Sequence, residues 1–148
     1  MDLLLTNPAF RIYAICCVIL GIKLLASALY TGTRRQKFGG FVNPEDAKTF
    51  GSSGVAARTE EAPEVAHALR IQRNDAENIP LFFAIGLVYV LSGASSTGAL
   101  ILCGVFALAR VVHTLVYMRR LQPARAICFV TGVLCMLVMM FRIVMNVL

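Results

Sequence analysis

The chain has 148 residues, of which 58% are hydrophobic and only 15% charged, with a mean hydropathy of +0.74. That balance excludes an ordinary soluble domain, in which about a quarter of residues are charged, and points to an integral membrane protein. The formal net charge of +6 comes without a basic helix or an aromatic-interleaved basic groove. It therefore reads as topology signals beside membrane spans, and nucleic acid is excluded as a partner.

Four apolar segments follow one another, over about 10–33, 68–91, 99–118 and 126–148, joined by a long link over about 34–66. Each segment is near the ~20 residues that an α-helix needs to cross the hydrocarbon core. None has the short, strict alternation of a barrel strand. The expected fold is all-α, a four-helix integral membrane bundle forming one domain over 1–148. The N-terminus lacks a basic region ahead of a short apolar stretch, so the first segment is expected to be retained as a helix rather than cleaved as a signal peptide.

Within the first segment, Lys23 sits mid-span, where an acid on the second helix would satisfy it. Arg11, and Arg142 near the end of the last segment, are expected to snorkel to the interface. The long link carries loop chemistry at Gly39-Gly40, Gly51-Ser52-Ser53-Gly54 and Pro63. Between these, Asn43-Pro44-Glu45-Asp46 reads as a helix start, with Asn43 as N-cap, Pro44 at the first helical position and two acids in the first turn. A short interfacial helix over 45–50 is expected, and the second span's helix should reach back to about Pro63.

The most informative stretch opens the second span. Arg70, Arg73, Asn74 and Glu77 recur at i, i+3, i+4 and i+7 and share one face of a helix that then enters lipid. Charge at a membrane edge is costly, so a site for a polar, charged ligand is the leading reading. Pro80 removes a helical bond one turn later and should kink the helix. On the third span Arg110, His113, Thr114 and Tyr117 repeat the same spacing. Two matched stripes at one end of the bundle would line a polar cleft for a peptide-like anion. Taken singly, these residues have plainer explanations: Arg110 paired with Glu77 or Asp75, and His113 and Tyr117 bonded to backbone.

The links on either side of the second and third spans hold Arg34, Arg35, Lys37, Lys48, Arg58, Arg70 and Arg73, and then Arg119, Arg120 and Arg125. The tight turn over 92–96 holds no cation. Both basic links are therefore assigned to the cytoplasm, and the termini and the small turn to the opposite side. The five cysteines all lie in apolar segments without a metal-ligand or C-x-x-C spacing, and read as reduced small hydrophobes. Met118, Met136, Met139, Met140 and Met145 read as core or lipid-facing filler, and His67 as an interfacial residue.

Four motifs now stand in order on a four-span pattern: Phe41-Val42-Asn43-Pro44-Glu45-Asp46; Arg70-x-x-Arg73-Asn74-Asp75-x-Glu77-Asn78; Arg110-x-x-His113-Thr114-x-x-Tyr117; and Arg125 after Pro123. Together they resemble the MAPEG superfamily, the membrane-associated proteins of eicosanoid and glutathione metabolism. Within it, the chain is most similar to the microsomal glutathione transferase and prostaglandin E synthase branch.

The resemblance implies a homotrimer of four-helix protomers, with glutathione bound between adjacent subunits at the cytoplasmic side. It implies that Arg70, Arg73, Asn74, Glu77, His113 and Tyr117 hold glutathione, with Arg35 as a further basic contact and Arg110 near the same site. It gives Arg125 the role of holding or activating the thiol, and Asp46 that of an assisting acid. The second substrate would be a lipophilic electrophile or lipid peroxide arriving from the bilayer. The membrane would be the endoplasmic reticulum, or the inner membrane of a bacterium.

Two positions depart from the prostaglandin synthase pattern. The hydroxyl residue expected after the thiol-activating arginine is Ala126, and the aromatic hydroxyl one turn on is Phe129. Both favour glutathione transfer over prostaglandin isomerisation, which stays as the alternative. A non-catalytic lipid-binding scaffold is the alternative of another class, and Arg125 argues against it.

Overall fold

The computed structural model describes residues 2–38, 41–51 and 59–148. Gly39, Gly40, Ser52, Ser53, Gly54 and Arg58, used above as loop or topology signals, lie outside them. Among the described residues there are six helices and no strands: α1 (Asp2–Thr6), α2 (Pro8–Phe38), α3 (Pro44–Phe50), α4 (Pro63–Leu91), α5 (Ser96–Met118) and α6 (Ala124–Val147).

Local chemistry sets the helix starts. Pro8 opens α2 with its fixed φ, and the Asn7 side-chain oxygen accepts from the Ala9 amide at 2.9 Å. Its 31 residues rise about 46 Å, more than the ~30 Å hydrocarbon core, so its basic last turn projects beyond lipid. Pro44 likewise opens α3 behind Asn43, but Asn43 makes no side-chain cap bond. Its amide donates instead to Asp46 Oδ2 at 3.1 Å. Pro63 opens α4, and Ser95 caps α5 by accepting from the Gly98 amide at 3.0 Å.

By length and apolarity alone, α2, α5 and α6 qualify as spans, and the chain is an integral membrane protein. At 29 residues α4 is long enough, but the charged stripe in its first half keeps it out of that class. It continues as one helix through Pro80. The helix α1 has no counterpart among the sequence expectations.

The bundle packs α2 against α4 and α5, and α6 against α5 and α4. The buried face of α2, Ala9, Tyr13, Cys16, Leu20, Lys23, Ser27 and Thr31, keeps a spacing of three to four residues. At the core, Phe82 of α4 stacks on Phe106 of α5 with ring centroids 4.4 Å apart. Tyr13 donates its hydroxyl to the Phe83 carbonyl at 2.7 Å, tying α2 to α4. All five cysteines are free, and Cys16, Cys103 and Cys135 are buried. Ile15, Val18, Ile22, Leu25 and Leu29 of α2, with Leu134, Leu137 and Phe141 of α6, are exposed, an outer surface suited to hydrocarbon.

Candidate functional site

At the basic end of the bundle, α4, α5 and α6 diverge around a cavity of about 350 Å3, inside the range of ~300–1,000 Å3 usual for small-molecule sites. It is lined by Asn74 of α4, His113 and Tyr117 of α5, Gln122 of the link, and Arg125, Ala126, Phe129 and Val130 of α6.

Tyr117 is the hub. The Arg125 guanidinium lies over its ring, 4.4 Å from the centroid, a cation–π contact that fixes the arginine without consuming its donors. With its amide oxygen turned towards Arg125, Gln122 accepts from the guanidinium. His113 packs edge-on against the same ring at 5.6 Å. It is 2% exposed, and its Nδ1 has no partner within the described residues. The ring lines the cavity, while this nitrogen is itself buried and leaves a hydrogen-bonding group unsatisfied.

Behind this wall lies a buried polar network that ties four helices together. Arg110 is fully buried. It donates to Asn74 Oδ1 at 3.2 Å and to the Phe129 carbonyl at 3.3 Å, with its guanidinium 5.4 Å from each of the Phe106 and Phe129 rings. Gly132 makes room for it: a Cβ there would lie 2.5 Å from Arg110 Nη2. Lys23 Nζ sits 2.5 Å from Asp75 Oδ1, the second-helix acid expected for it, and Thr114 donates to Asp75 Oδ2 at 3.4 Å. The plain expectation of an Arg110 bond to Glu77 or Asp75 is not met: its hydrogen bonds go to Asn74 and the Phe129 carbonyl, and Asp75 acts on it through its charge alone. Arg110 does not line the cavity and reaches it through Asn74 and Phe129.

The two sequence stripes therefore do not face one another within the chain. Asn74, His113, Tyr117 and Arg125 come together, but Arg70, Arg73 and Glu77 are exposed on the outer face of α4. At 3.6 residues per turn, Asn74 is the edge of its stripe nearest the buried Ile71, Asp75 and Asn78, whereas Arg73 points away. Arg73 pairs with Glu77 at 3.0 Å along the helix surface. Arg35, at the end of α2, pairs with Glu61 at 2.7 Å, and Asp46 stays on α3 beside Asn43. None of these five lines the cavity.

His67, read from sequence as interfacial, has a structural task. Its Nε2 donates to the Tyr117 carbonyl at 3.1 Å, and its ring meets the Tyr117 ring edge-on at 5.3 Å. Because a carbonyl only accepts, this nitrogen carries the proton. Burial, reinforced by the positive field of Arg120, Arg70 and Arg125, holds the imidazole below its ordinary pKa against the opposing pull of the carbonyl. Gln122 and Val130 were likewise invisible as lining residues, since neither belongs to a periodic polar pattern.

The fold and site define a membrane-embedded helical bundle with a polar, arginine-bearing cavity at its basic end. Within that class the chain belongs to the MAPEG family, whose family model matches residues 13–145. The chain is 35% identical over 129 residues to prostaglandin E synthase of Macaca fascicularis, covering 86% of this chain and 83% of that protein. It is 36% identical over 148 residues to microsomal glutathione S-transferase 1 of Sus scrofa, covering 95% and 92% respectively. Against the Homo sapiens protein of the latter name it is 38% identical over 142 residues, covering 91% and 86%.

Proposed function

We propose that the protein is a membrane-bound glutathione transferase that activates glutathione as a thiolate for conjugation to lipophilic electrophiles. The observation that carries the reading is the convergence of Arg125, Tyr117, His113 and Asn74 on one cavity. Membership of the MAPEG family and the likeness to microsomal glutathione S-transferase 1 support it. A free thiol has a pKa near 8.5, so most of it is protonated at neutral pH, and the thiolate is the nucleophile. A guanidinium beside the sulfur stabilises S⁻ by about 1.4 kcal/mol for each pKa unit of depression. Arg125, fixed on Tyr117, supplies that cation, while Asn74 and the unpaired nitrogen of His113 serve as neutral partners for the peptide.

Glutathione carries two carboxylates and an ammonium, more charge than the cavity of one chain meets. The exposed Arg70, Arg73 and Glu77 supply the complement if a neighbouring copy brings its α4 face to the cavity, as in the trimer implied by the family resemblance. In that arrangement the arginines take the carboxylates and Glu77 the ammonium, with Arg35 and Asp46 as further contacts from the cytoplasmic link. Lipid hydroperoxides are a natural second class of oxidising substrate for the same thiolate.

A second reading, a prostaglandin E synthase-type isomerase, is favoured by relatives of that name at similar identity. Ala126 and Phe129 weigh against it, because both line the cavity and neither offers a hydroxyl. The test is to follow thiolate absorbance as glutathione is added to the purified protein, and then turnover of an aryl halide, a lipid hydroperoxide and a prostaglandin endoperoxide. Arg125→Ala is expected to lose most conjugation and the thiolate signal while keeping most glutathione binding. If that variant conjugates like the parent, the assignment of Arg125 is wrong.

A further inference from the structure

A second cavity lies away from this site. It occupies about 410 Å3 at the other end of the bundle, between the α4–α5 turn, the start of α5 and the end of α6. Between their nearest lining residues the two cavities lie 15 residues apart along α4, 11 along α5 and 8 along α6, or about 12–22 Å, and they share no lining residue. One wall is polar, with Tyr89, Ser95, Arg142 and Asn146, and the other is apolar, with Ile101, Leu102 and Val138.

Three features make this a built site rather than a gap between helices. Tyr89 is 4% exposed, yet its hydroxyl makes no hydrogen bond within the described residues and faces the cavity. The ring is packed away while the hydroxyl opens on the cavity, a donor and acceptor that a ligand there can reach. It is seated against the first turn of α5: a Cβ at Gly98 would lie 2.6 Å from the hydroxyl oxygen. That places it beside the positive end of a 23-residue helix, where the first amides lack helical partners. Arg142, finally, is an exposed cation on the rim, and the ion pairs among the described residues, Lys23–Asp75, Arg35–Glu61 and Arg73–Glu77, leave it available to an anion. The rim is held shut by Asn146, which donates to the Ser92 carbonyl at 3.0 Å.

An open phenol, a helix N-terminus and an unpaired guanidinium all favour one chemistry, a phosphate-type anion. The apolar wall beside them suits an acyl chain, and the end of a membrane bundle is the depth at which headgroups lie. We propose that this cavity binds the phosphate of an anionic glycerophospholipid, with Arg142 and the Tyr89 hydroxyl on the phosphate and Ile101, Leu102 and Val138 along the chain.

The test uses delipidated full-length protein in detergent, read by native mass spectrometry and thermal unfolding. Phosphatidylglycerol, the uncharged diacylglycerol and inorganic phosphate are added separately to the parent, Arg142→Gln and Tyr89→Phe. The expected result is a retained phosphatidylglycerol adduct that raises the parent's unfolding temperature. Arg142→Gln should weaken it roughly tenfold or more, the loss of one charge-assisted hydrogen bond. Tyr89→Phe should weaken it to a smaller degree.

Equal binding of diacylglycerol overturns the proposal, because the phosphate then contributes nothing. Equal occupancy by inorganic phosphate overturns the lipid as its source. Undiminished adducts in both variants overturn the site itself. Should Arg142→Gln fail to fold, Tyr89→Phe, which deletes a single oxygen, carries the test.

Discussion

Asp75→Asn is expected to destabilise the bundle more than Lys23→Met does, although the two residues form one pair. Lys23 and Asp75 are 9% and 0% exposed and meet at 2.5 Å in the span. Orphaning one member of a buried pair costs about 3–5 kcal/mol, because the remaining charge stays desolvated. The two losses differ because Arg110, also fully buried, acts electrostatically on the same carboxylate. Two cations therefore share one anion. Lys23→Met leaves Asp75 with Arg110 and the Thr114 hydroxyl, and is expected near about 3 kcal/mol, the lower end of that range. Asp75→Asn leaves two cations facing each other with no anion, and is expected at or above about 5 kcal/mol.

The double variant Lys23→Met/Asp75→Asn removes one of the two cations along with the shared anion, so it is expected to be more stable than Asp75→Asn alone while the buried Arg110 keeps part of the cost. The coupling is measured by a double-mutant cycle of reversible unfolding in mixed detergent and SDS micelles, followed by far-ultraviolet circular dichroism. Equal costs for the two single variants, or a double variant no more stable than Asp75→Asn, would refute the shared-anion network.

Gly132→Ala adds a Cβ 2.5 Å from Arg110 Nη2. It is expected to cost about 1–3 kcal/mol of stability through overpacking, and to weaken glutathione binding by disturbing Asn74. Calorimetric titration checks the second effect, while Gly104→Ala, whose added Cβ meets nothing within 4 Å, is expected to leave binding unchanged. For His67 the folded chain holds the imidazole below its ordinary value, so it binds fewer protons than the unfolded chain. Its contribution to stability is therefore fully present above about pH 6.5 and falls as pH drops from there through the folded value. A His67→Gln variant should show a flatter fall in unfolding temperature over that acidic window, and an unchanged slope would remove His67 as the source.

Much of the molecule was legible in the amino-acid order, because bilayer physics acts on local properties. Segment length, apolarity and the placement of Lys and Arg are one-dimensional, and so are the prolines that open α2, α3 and α4. Helical spacing likewise grouped His113 with Tyr117, and its mid-span position marked Lys23 as needing an acid. Spacing alone could not say which edge of a stripe turns inward. Arg70, Arg73, Asn74 and Glu77 form one arc in projection, yet only Asn74 meets α5, because the apolar Ile71, Ile79 and Phe82 dictate which way α4 is rolled. The tertiary structure also decided that Arg110 supports the cavity from behind instead of lining it, since Gly132 opens a slot for it between two phenylalanine rings. And it alone revealed the second cavity, where Tyr89, Gly98 and Arg142 come from three helices and share no sequence pattern.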